Sequence, residues 1–436
     1  MTSNQLSPLL PATYLQQGLW PGLRHATAAE AFQVRAVRIT GPMGLDRLGA
    51  AIDEVYAALP ALGVGLAPDG PELAMRRTGR RAPAVHDLRA LPGEEAEAKC
   101  LDLLRAARGA STPVFEVVRL AADDLVVGLA AHRLVLDERS IYLVLGAVIE
   151  ACRGRFRAGA YRSFTEVLDF RPLTEAMWQS RRQWWTTWLA AVPKEVPPVD
   201  RRESETGRMT IAGADVQALA ESDTRVRHNG SLGVAALVSW WLQRVAGRSP
   251  MAGVASILDL RDYFGLGVMV GPLTDRMVFR VDLGAATAPS YLDVFRAQQL
   301  AVLRTATRYL PYGDLVALGV ERGRLTAPRT SALWDTEVHL CRNPHVGAAP
   351  REEAVLGVAF ANYREADLLD TGVSAGPDHW DGTNLDVRLS ESGGDLAVVV
   401  DRNRLQPGPS VQCLLDGLGR AVARAVADPE APIEQA

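Results

Sequence analysis

The chain has 436 residues, of which 48% are hydrophobic and 22% are charged, and its formal net charge is −4. This composition is typical of a globular protein with enough residues for two or three domains. The slight acidic excess argues against a nucleic-acid partner, because domains that bind nucleic acids are usually basic.

The first part of the chain alternates between strand and helix patterns. Residues 32–39 (FQVRAVRI) alternate apolar and polar side chains, which is typical of a half-buried strand. Further on, the patterns predict two helices, a strand hairpin and a long apolar helix, at residues 45–59, 94–108, 114–120 with 125–130, and 140–153.

Residues 161–190 carry a cluster of tryptophans, Trp178, Trp184, Trp185 and Trp188, among charged residues on a predicted helix. Aromatic residues at helical spacing favour core packing over a binding platform. Three prolines within residues 193–200 then predict a linker.

The second half of the chain again alternates between strand and helix patterns. Its predicted helices are residues 231–246, 290–305 and 411–427, and its predicted strands are residues 251–258, 277–283, 385–389 and 396–401. Strands and helices that alternate in two halves indicate an α/β or α+β protein. We therefore expect an N-terminal lobe of residues 1–192 and a C-terminal lobe of residues 193–436.

Several functional classes lack support in the sequence. The cysteines are scattered and form no CxxC pair, so neither a disulfide framework nor a zinc site is expected; they are Cys100, Cys152, Cys341 and Cys413. No glycine-rich nucleotide-binding motif is present, so we expect no cofactor and no metal. The N-terminus lacks a signal-peptide pattern, and no apolar stretch reaches the ~18–20 residues that cross a bilayer. We therefore expect a cytoplasmic protein without a membrane partner.

The segment AHRLVLDERS, residues 131–140, has the strongest functional signal. An apolar strand leads directly into its polar residues, which are His132, Arg133, Asp137, Glu138 and Ser140. Active sites are often assembled from polar side chains that a rigid scaffold presents in this way. A lone histidine there is more often structural than catalytic, so the surrounding pattern decides the interpretation.

That pattern, HRLVLDERS, resembles the HHxxxDGxS signature of nonribosomal peptide synthetase condensation domains. Four other segments resemble further motifs of the family and follow in the family's order. They are residues 10–20 (LPATYLQQGLW), the aromatic residues 161–185, Arg261 with residues 270–281, and residues 309–316 (YLPYGDLV), where both histidines of the family's motif are missing. The resemblance extends over nearly the whole chain.

The resemblance implies a fold in which two lobes, each like chloramphenicol acetyltransferase, form a V-shaped pseudo-dimer. The histidine motif would then lie at the base of a tunnel between the lobes. In active members of the family the second histidine of the signature assists amide formation. The aspartate is mainly structural and is held by an arginine, which here would be Arg261 or Arg280.

The residues of this motif predict that the chemistry has been lost. Arg133 occupies the position of the second histidine, and a guanidinium stays protonated and has no acceptor lone pair, so it cannot be the base. His132, one residue earlier on a strand, would point to the opposite face. Glu138 replaces the glycine of the signature, and we expect an ion pair of Arg133 with Glu138 or Asp137 to fill the space that a substrate needs.

HRxxxD followed by an acidic residue resembles one branch of the family, the X-domains of glycopeptide-antibiotic synthetases. These domains do not condense; they recruit cytochrome P-450 oxygenases to the neighbouring carrier-bound peptide, where aromatic side chains are cross-linked. The acidic residue of that branch is Asp, whereas this chain has Glu138. The resemblance implies a non-catalytic docking platform whose partners are P-450 oxygenases and the adjacent peptidyl carrier domain.

The alternative is an active condensation or acyltransferase enzyme, either free-standing or part of a synthetase. It would use His132 or Glu138 to form an amide or ester from a carrier-bound acyl donor.

Overall fold

The computed structural model of the chain describes residues 9–23, 28–69, 72–190, 204–222, 230–245, 253–281, 288–324, 334–341, 358–363, 385–392, 394–403 and 408–433. Within these residues the helices are α1 (Tyr14–Leu23), α2 (Ala28–Ala31), α3 (Leu45–Ala58), α4 (Gly93–Ala106), α5 (Glu138–Cys152), α6 (Glu175–Ala190), α7 (Gly213–Glu221), α8 (Gly230–Val245), α9 (Leu260–Phe264), α10 (Tyr291–Ala306), α11 (Tyr312–Glu321) and α12 (Val411–Ala427). The strands are β1 (Leu9–Pro11), β2 (Phe32–Thr40), β3 (Val64–Asp69), β4 (Glu72–Arg77), β5 (Ala84–Asp87), β6 (Val114–Ala121), β7 (Asp124–His132), β8 (Arg162–Ser163), β9 (Ser204–Ile211), β10 (Gly253–Asp259), β11 (Met269–Val270), β12 (Thr274–Phe279), β13 (Trp334–Cys341), β14 (Ala359–Asn362), β15 (Leu385–Ser392) and β16 (Asp395–Asn403).

The chain divides into two compact units, and each unit takes segments from both halves of the sequence. The first unit contains Met1–Pro172, Asp259–Thr274 and Asn343–Thr371, and the second contains Leu173–Leu258, Asp275–Arg342 and Gly372–Ala436. The predicted lobe boundary between residues 192 and 193 lies outside the described residues and stays a prediction.

A five-stranded sheet with the order β14-β2-β7-β6-β5 organises the first unit. β7 is its middle strand and is buried from Leu125 to His132, because apolar clusters cover both of its faces. Gly128 allows α4 to pack closely on this strand, since a Cβ atom at Gly128 would lie only 2.2 Å from Cδ2 of Leu104. The motif therefore begins at the end of the middle strand, and the close packing around this strand fixes its position.

A six-stranded mixed sheet with the order β12-β10-β13-β15-β16-β9 organises the second unit. Its core includes residues of α8, α10 and α12, which pack with side chains of this sheet. The predicted mixed α/β class is confirmed. One predicted helix begins late: residues 161–174 form a short strand, a single 3-10 turn (Phe164–Glu166) and irregular turns, and α6 starts only at Glu175. Within the described helices, none has both the length and the apolar character needed to cross a membrane.

Candidate functional site

The motif of residues 131–140 forms a strand, a tight turn and a helix. β7 ends at His132, the next residues turn, and α5 begins at Glu138. Backbone hydrogen bonds from Val135 and Leu136 to the carbonyl oxygen of His132, at 2.8 and 3.1 Å, close the turn. The helix thus starts two residues before the position predicted from the sequence, because the residue before it supplies a cap.

That residue, Asp137, is the N-cap of α5 and is 2% exposed. Its carboxylate accepts hydrogen bonds from the backbone N–H groups of Ser140 at 2.8 Å and Leu273 at 2.7 Å. Nη1 and Nη2 of Arg261 each donate to one of its oxygens at 2.9 Å. Arg261 is itself only 1% exposed, and bidentate pairs of this kind are among the strongest side-chain interactions.

Ser140 joins the same network through its hydroxyl. Its Oγ donates to the carbonyl oxygen of Gly271 at 2.7 Å and accepts from the Gly271 N–H at 2.8 Å and from Nη2 of Arg261 at 2.7 Å. A side chain at Gly271 has no space, because its Cβ would lie 2.3 Å from Cβ of Phe164. The serine and the glycine together anchor residues 259–274 to the first turn of α5.

The two arginines considered as partners of Asp137 have different positions. Arg261 lies on Asp137, whereas Arg280 donates from Nη2 to the carbonyl oxygen of Trp188 at 3.3 Å. The guanidinium of Arg280 lies 3.9 Å from the centroid of the Trp188 ring. Burial lowers the pKa of Arg280 to about 10. Arg280 therefore belongs to a cation–π contact in the second unit.

Glu138, the residue in the place of the signature glycine, pairs with Arg35 of β2. Nη2 of Arg35 lies 2.7 Å from Oε1 of Glu138, and the side chains are 6% and 23% exposed respectively. Arg35 also donates from Nε to the hydroxyl of Tyr142 at 2.9 Å and from Nη1 to the carbonyl oxygen of Val34 at 2.7 Å. Arg35 is thus a buried cation with several fixed acceptors.

Asp137 and Glu138 lie at the start of α5, where each has an arginine partner. Asp137 forms an ion pair with Arg261, and Glu138 forms one with Arg35. The expected pairing of Arg133 with one of these carboxylates stays a prediction. The backbone N–H of Arg133 donates to the carbonyl oxygen of Ala31 at 2.8 Å.

His132 is buried and electrically neutral. Burial, followed by the positive charge of Arg133, lowers the pKa of His132 to about 3. Its Nδ1 atom accepts a hydrogen bond from the backbone N–H of Leu134 at 3.1 Å, so the ring proton is assigned to Nε2. The ring of Phe32 packs edge-on against it with the centroids 5.0 Å apart.

The motif side chains therefore offer poor acid–base chemistry. A general base works best when its pKa lies near the working pH, and that of His132 lies far below neutrality. The carboxylates of Asp137 and Glu138 are held in ion pairs with Arg261 and Arg35. In the described part of the chain, no cluster of three His, Cys, Asp or Glu side chains is suited to hold a metal ion.

The segment YLPYGDLV, in which the family's histidines are missing, has a structural role in the second unit. The hydroxyl of Tyr309 donates to Oδ2 of Asp275 at 2.5 Å, and the backbone N–H of Tyr312 donates to the same oxygen at 2.9 Å. Complete burial raises the pKa of Asp275 above its usual range, and these hydrogen bonds act in the opposite direction. Tyr309 and Tyr312 therefore supply hydrogen bonds to a buried carboxyl group.

Two arginines of the site were not identified from the sequence. Arg139 lies 2.7 Å from Asp259 and 2.6 Å from Asp262, and so fastens the same segment that Arg261 holds. Arg35 stands in a strand whose alternation predicts that it faces solvent, but it is 5% exposed. The sequence shows an arginine at position 35 and an unusual acidic residue at position 138. Their spacing does not reveal that they pair, because they lie 103 positions apart.

Asp137→Asn should strongly destabilise the first unit, because it removes the bidentate counter-charge of the buried Arg261 guanidinium and leaves only Asp259 of the described carboxylates, at 3.3 Å from Nη1. We expect a loss of about 3–5 kcal/mol in the free energy of unfolding, measured by urea denaturation. Asp123→Asn, in the exposed turn between β6 and β7, is the matched control and should change stability by less than about 0.5 kcal/mol. Equal unfolding midpoints for the two variants would contradict this role.

The Arg35–Glu138 pair should show strong energetic coupling in a double-mutant cycle. Arg35→Met and Glu138→Gln each remove one side of a buried ion pair, so the double variant should be more stable than the sum of the single effects predicts, by about 1–3 kcal/mol. The exposed pair of Arg80 and Asp53, with side chains 54% and 43% exposed, is the control. Arg80→Met with Asp53→Asn should give a coupling below about 1 kcal/mol. Additive effects at Arg35 and Glu138 would disprove the coupling.

Stability should also depend on pH through His132. The unfolded chain protonates this histidine near pH 6.5, whereas the folded chain does so only near pH 3, so the unfolded state binds more protons between these values. The contribution of His132 is therefore complete above pH ~6.5 and falls with pH, by up to ~1.4 kcal/mol per pH unit. His132→Gln should remove this slope between pH 6 and pH 5 in urea titrations, and His86→Gln should retain it. A histidine NMR titration that places His132 near its ordinary pKa would refute the argument.

Comparison with known proteins finds a relative with substantial identity and other structures with the same fold. No protein-family model matches the chain, and no curated protein sequence matches it. The crystal structure of the tallysomycin biosynthesis protein TlmII is 40% identical, with a TM-score of 0.83, over 98% of this chain and 100% of that chain.

Two other solved structures are similar at lower identity. The first condensation domain of the CDA synthetase is 16% identical, with a TM-score of 0.71, over 99% of each chain. The X-domain from teicoplanin biosynthesis is 17% identical, with a TM-score of 0.68, over 100% of this chain and 98% of that one. These two likenesses concern the fold. Together with the motif order and the Asp137–Arg261 framework, the comparisons show that the chain belongs to the nonribosomal peptide synthetase condensation-domain superfamily.

Proposed function

We propose that this chain is a non-catalytic condensation-fold protein that acts as a docking platform in the biosynthesis of a peptide antibiotic. The observation that carries the proposal is the state of the motif at the end of β7. Arg133 stands where active members of the family have the acid–base histidine, and the neighbouring His132 is buried and neutral with Nδ1 engaged by the Leu134 N–H. Removing a general base typically costs ~10²–10⁴ in rate.

The geometry of Glu138 also supports this proposal. A carboxylate in this position is the other candidate for a base, but it is held by Arg35 at 2.7 Å. The side chain of Arg35 is 6% exposed, so the carboxylate of Glu138 is engaged by a buried guanidinium. The intact framework of Asp137, Arg261 and Ser140 then serves to hold the fold rather than to position a base.

The partners we propose are the adjacent peptidyl carrier domain and cytochrome P-450 oxygenases. The support is the sequence HRxxxD followed by Glu138, which resembles the motif of X-domains in glycopeptide-antibiotic synthetases. The similarity to a tallysomycin biosynthesis protein and to the X-domain from teicoplanin biosynthesis is in keeping with a role in antibiotic assembly. In this proposal the chain holds an oxygenase close to a carrier-bound peptide whose aromatic side chains are to be cross-linked.

A second candidate function is an active condensation or acyltransferase enzyme that forms an amide or ester from a carrier-bound acyl donor. The observation that favours it is the preserved network around Asp137, which keeps the start of α5 in place as an active site would require. It would have to use His132 or Glu138 as its base.

The two functions differ in what the wild-type protein does with carrier-bound substrates. We expect binding of the pathway's oxygenases, measured by surface plasmon resonance, and no amide or ester product by mass spectrometry when acyl-carrier donor and acceptor are supplied. His132→Ala is the control and should leave both results unchanged, provided that circular dichroism shows it folded. Product formation by the wild type that disappears in His132→Ala would establish the enzyme instead.

Reversion of the motif should not by itself restore condensation. Arg133→His combined with Glu138→Gly supplies the signature residues. It also removes the Glu138 partner of Arg35 and leaves the tyrosines of YLPYGDLV where the family's motif has histidines. We expect no product above the wild-type background in the same assay. A rate comparable to that of an active condensation domain, used as the positive control, would show that only these two residues silence the site.

A further inference from the structure

A groove of about 750 Å³ lies in the second unit along one face of α6, beside the turn that joins α10 to α11. Met177, Arg181 and Trp184 line it from α6, and Thr307 and Arg308 line it from the turn. The lining residues of α6 run from Ala176 to Thr187, which at 1.5 Å per residue is a length of about 16 Å, or three helical turns.

Two hydrogen bonds hold the walls of the groove together. Nη1 of Arg181 donates to the carbonyl oxygen of Tyr309 at 2.7 Å, and Nε1 of Trp185 donates to the carbonyl oxygen of Arg308 at 2.8 Å. Trp185 is 1% exposed and packs edge-on against Trp184 with the ring centroids 4.9 Å apart. The groove is therefore pre-formed, which lowers the entropic cost of binding a partner.

The face around the groove exposes apolar side chains that a folded protein usually buries. Met177 is 40% exposed on α6, and Leu300 and Leu303 are 46% and 60% exposed on α10. Leu300, Leu303 and Thr307 follow one another at helical spacing, so the apolar strip of α10 leads to the wall of the groove. Exposed apolar side chains beside a groove are a common feature of interaction sites.

The same face is positively charged. Arg181, Arg304 and Arg308 have no carboxylate partner among the residues that the structure describes, and the guanidinium of Arg308 lies 5.4 Å from the centroid of the Trp184 ring. The nearby carboxylate of Glu321 is paired with Arg182. A partner that covers the groove must therefore supply the negative charge.

We propose that this groove binds an acidic amphipathic helix of a partner protein. Apolar side chains at every third or fourth position would contact Met177, Trp184 and Leu303, while flanking carboxylates pair with Arg304 and Arg308. Amphipathic helices lie in grooves of other proteins in the same way. The features that match are the length of about three turns, the apolar strip, and arginines that have no carboxylate partner among the described residues. This inference rests on the proposed docking function and gives that function a surface.

The test uses the full chain and two synthetic peptides of 15 residues. Both peptides carry leucines at helical spacing; one has glutamates at the flanking positions and the other has lysines. We expect the glutamate peptide to bind at least tenfold more tightly by fluorescence anisotropy, with an affinity that falls as salt is raised.

Variants of the groove locate the binding. Arg308→Glu should weaken the glutamate peptide at least tenfold and improve the lysine peptide, and Met177→Ser should weaken both. Arg420→Glu, on an exposed position of α12, makes the same charge change in the same unit and should have no effect. Circular dichroism of each variant checks its folding.

Equal binding of the two peptides, or glutamate-peptide binding that Arg308→Glu leaves unchanged, would overturn the groove proposal. These results do not depend on any oxygenase or carrier domain, so they are separate from the test of the proposed function. If the oxygenases bind and Arg308→Glu with Met177→Ser leaves that binding intact, docking occurs elsewhere and the groove is not the surface.

Discussion

The buried ion pair of Asp137 with Arg261 is the interaction on which the first unit depends. The two residues are separated by 124 positions in the chain, and their pairing brings residues 259–274 onto the first turn of α5. The pair satisfies charges that would be costly if buried alone, and the same carboxylate caps the helix. Ser140, Gly271 and the backbone of Leu273 complete the network, so the signature's Asp and Ser are explained without catalysis.

The charges of the motif residues differ from those that a condensation site needs. A condensation site needs a histidine that gains and loses a proton near neutrality, but here Arg133 is permanently charged and His132 is held neutral by burial. Glu138 adds a negative charge, and the buried Arg35 supplies its counter-charge. The negative charge of Glu138 is therefore balanced by an arginine of the neighbouring strand β2. In the function that we propose, this scaffold keeps its structural network and serves binding rather than turnover.

The docking role that we propose depends on residues of the protein surface rather than on the motif. The groove beside α6 offers a partner two kinds of contact: exposed apolar side chains, and arginines that have no carboxylate partner in the described residues. The tryptophan cluster on this helix divides between two roles that the sequence pattern could not separate. Trp185 is buried and holds the turn after α10, whereas Trp184 lines the groove. One helix thus provides both the anchor and the contact surface.

The sequence by itself determined the superfamily and the mixed α/β class, because motif order and residue chemistry are local properties. It also limited the partner of Asp137 to two arginines. Only the tertiary structure decided that Arg261 holds Asp137 and that Arg35 holds Glu138, because these pairs join residues more than a hundred positions apart. The alternation of β2 predicted Arg35 on a solvated face, but the sheet is covered on both sides and the arginine is buried. Long-range packing, which sequence spacing does not encode, determines which charges meet.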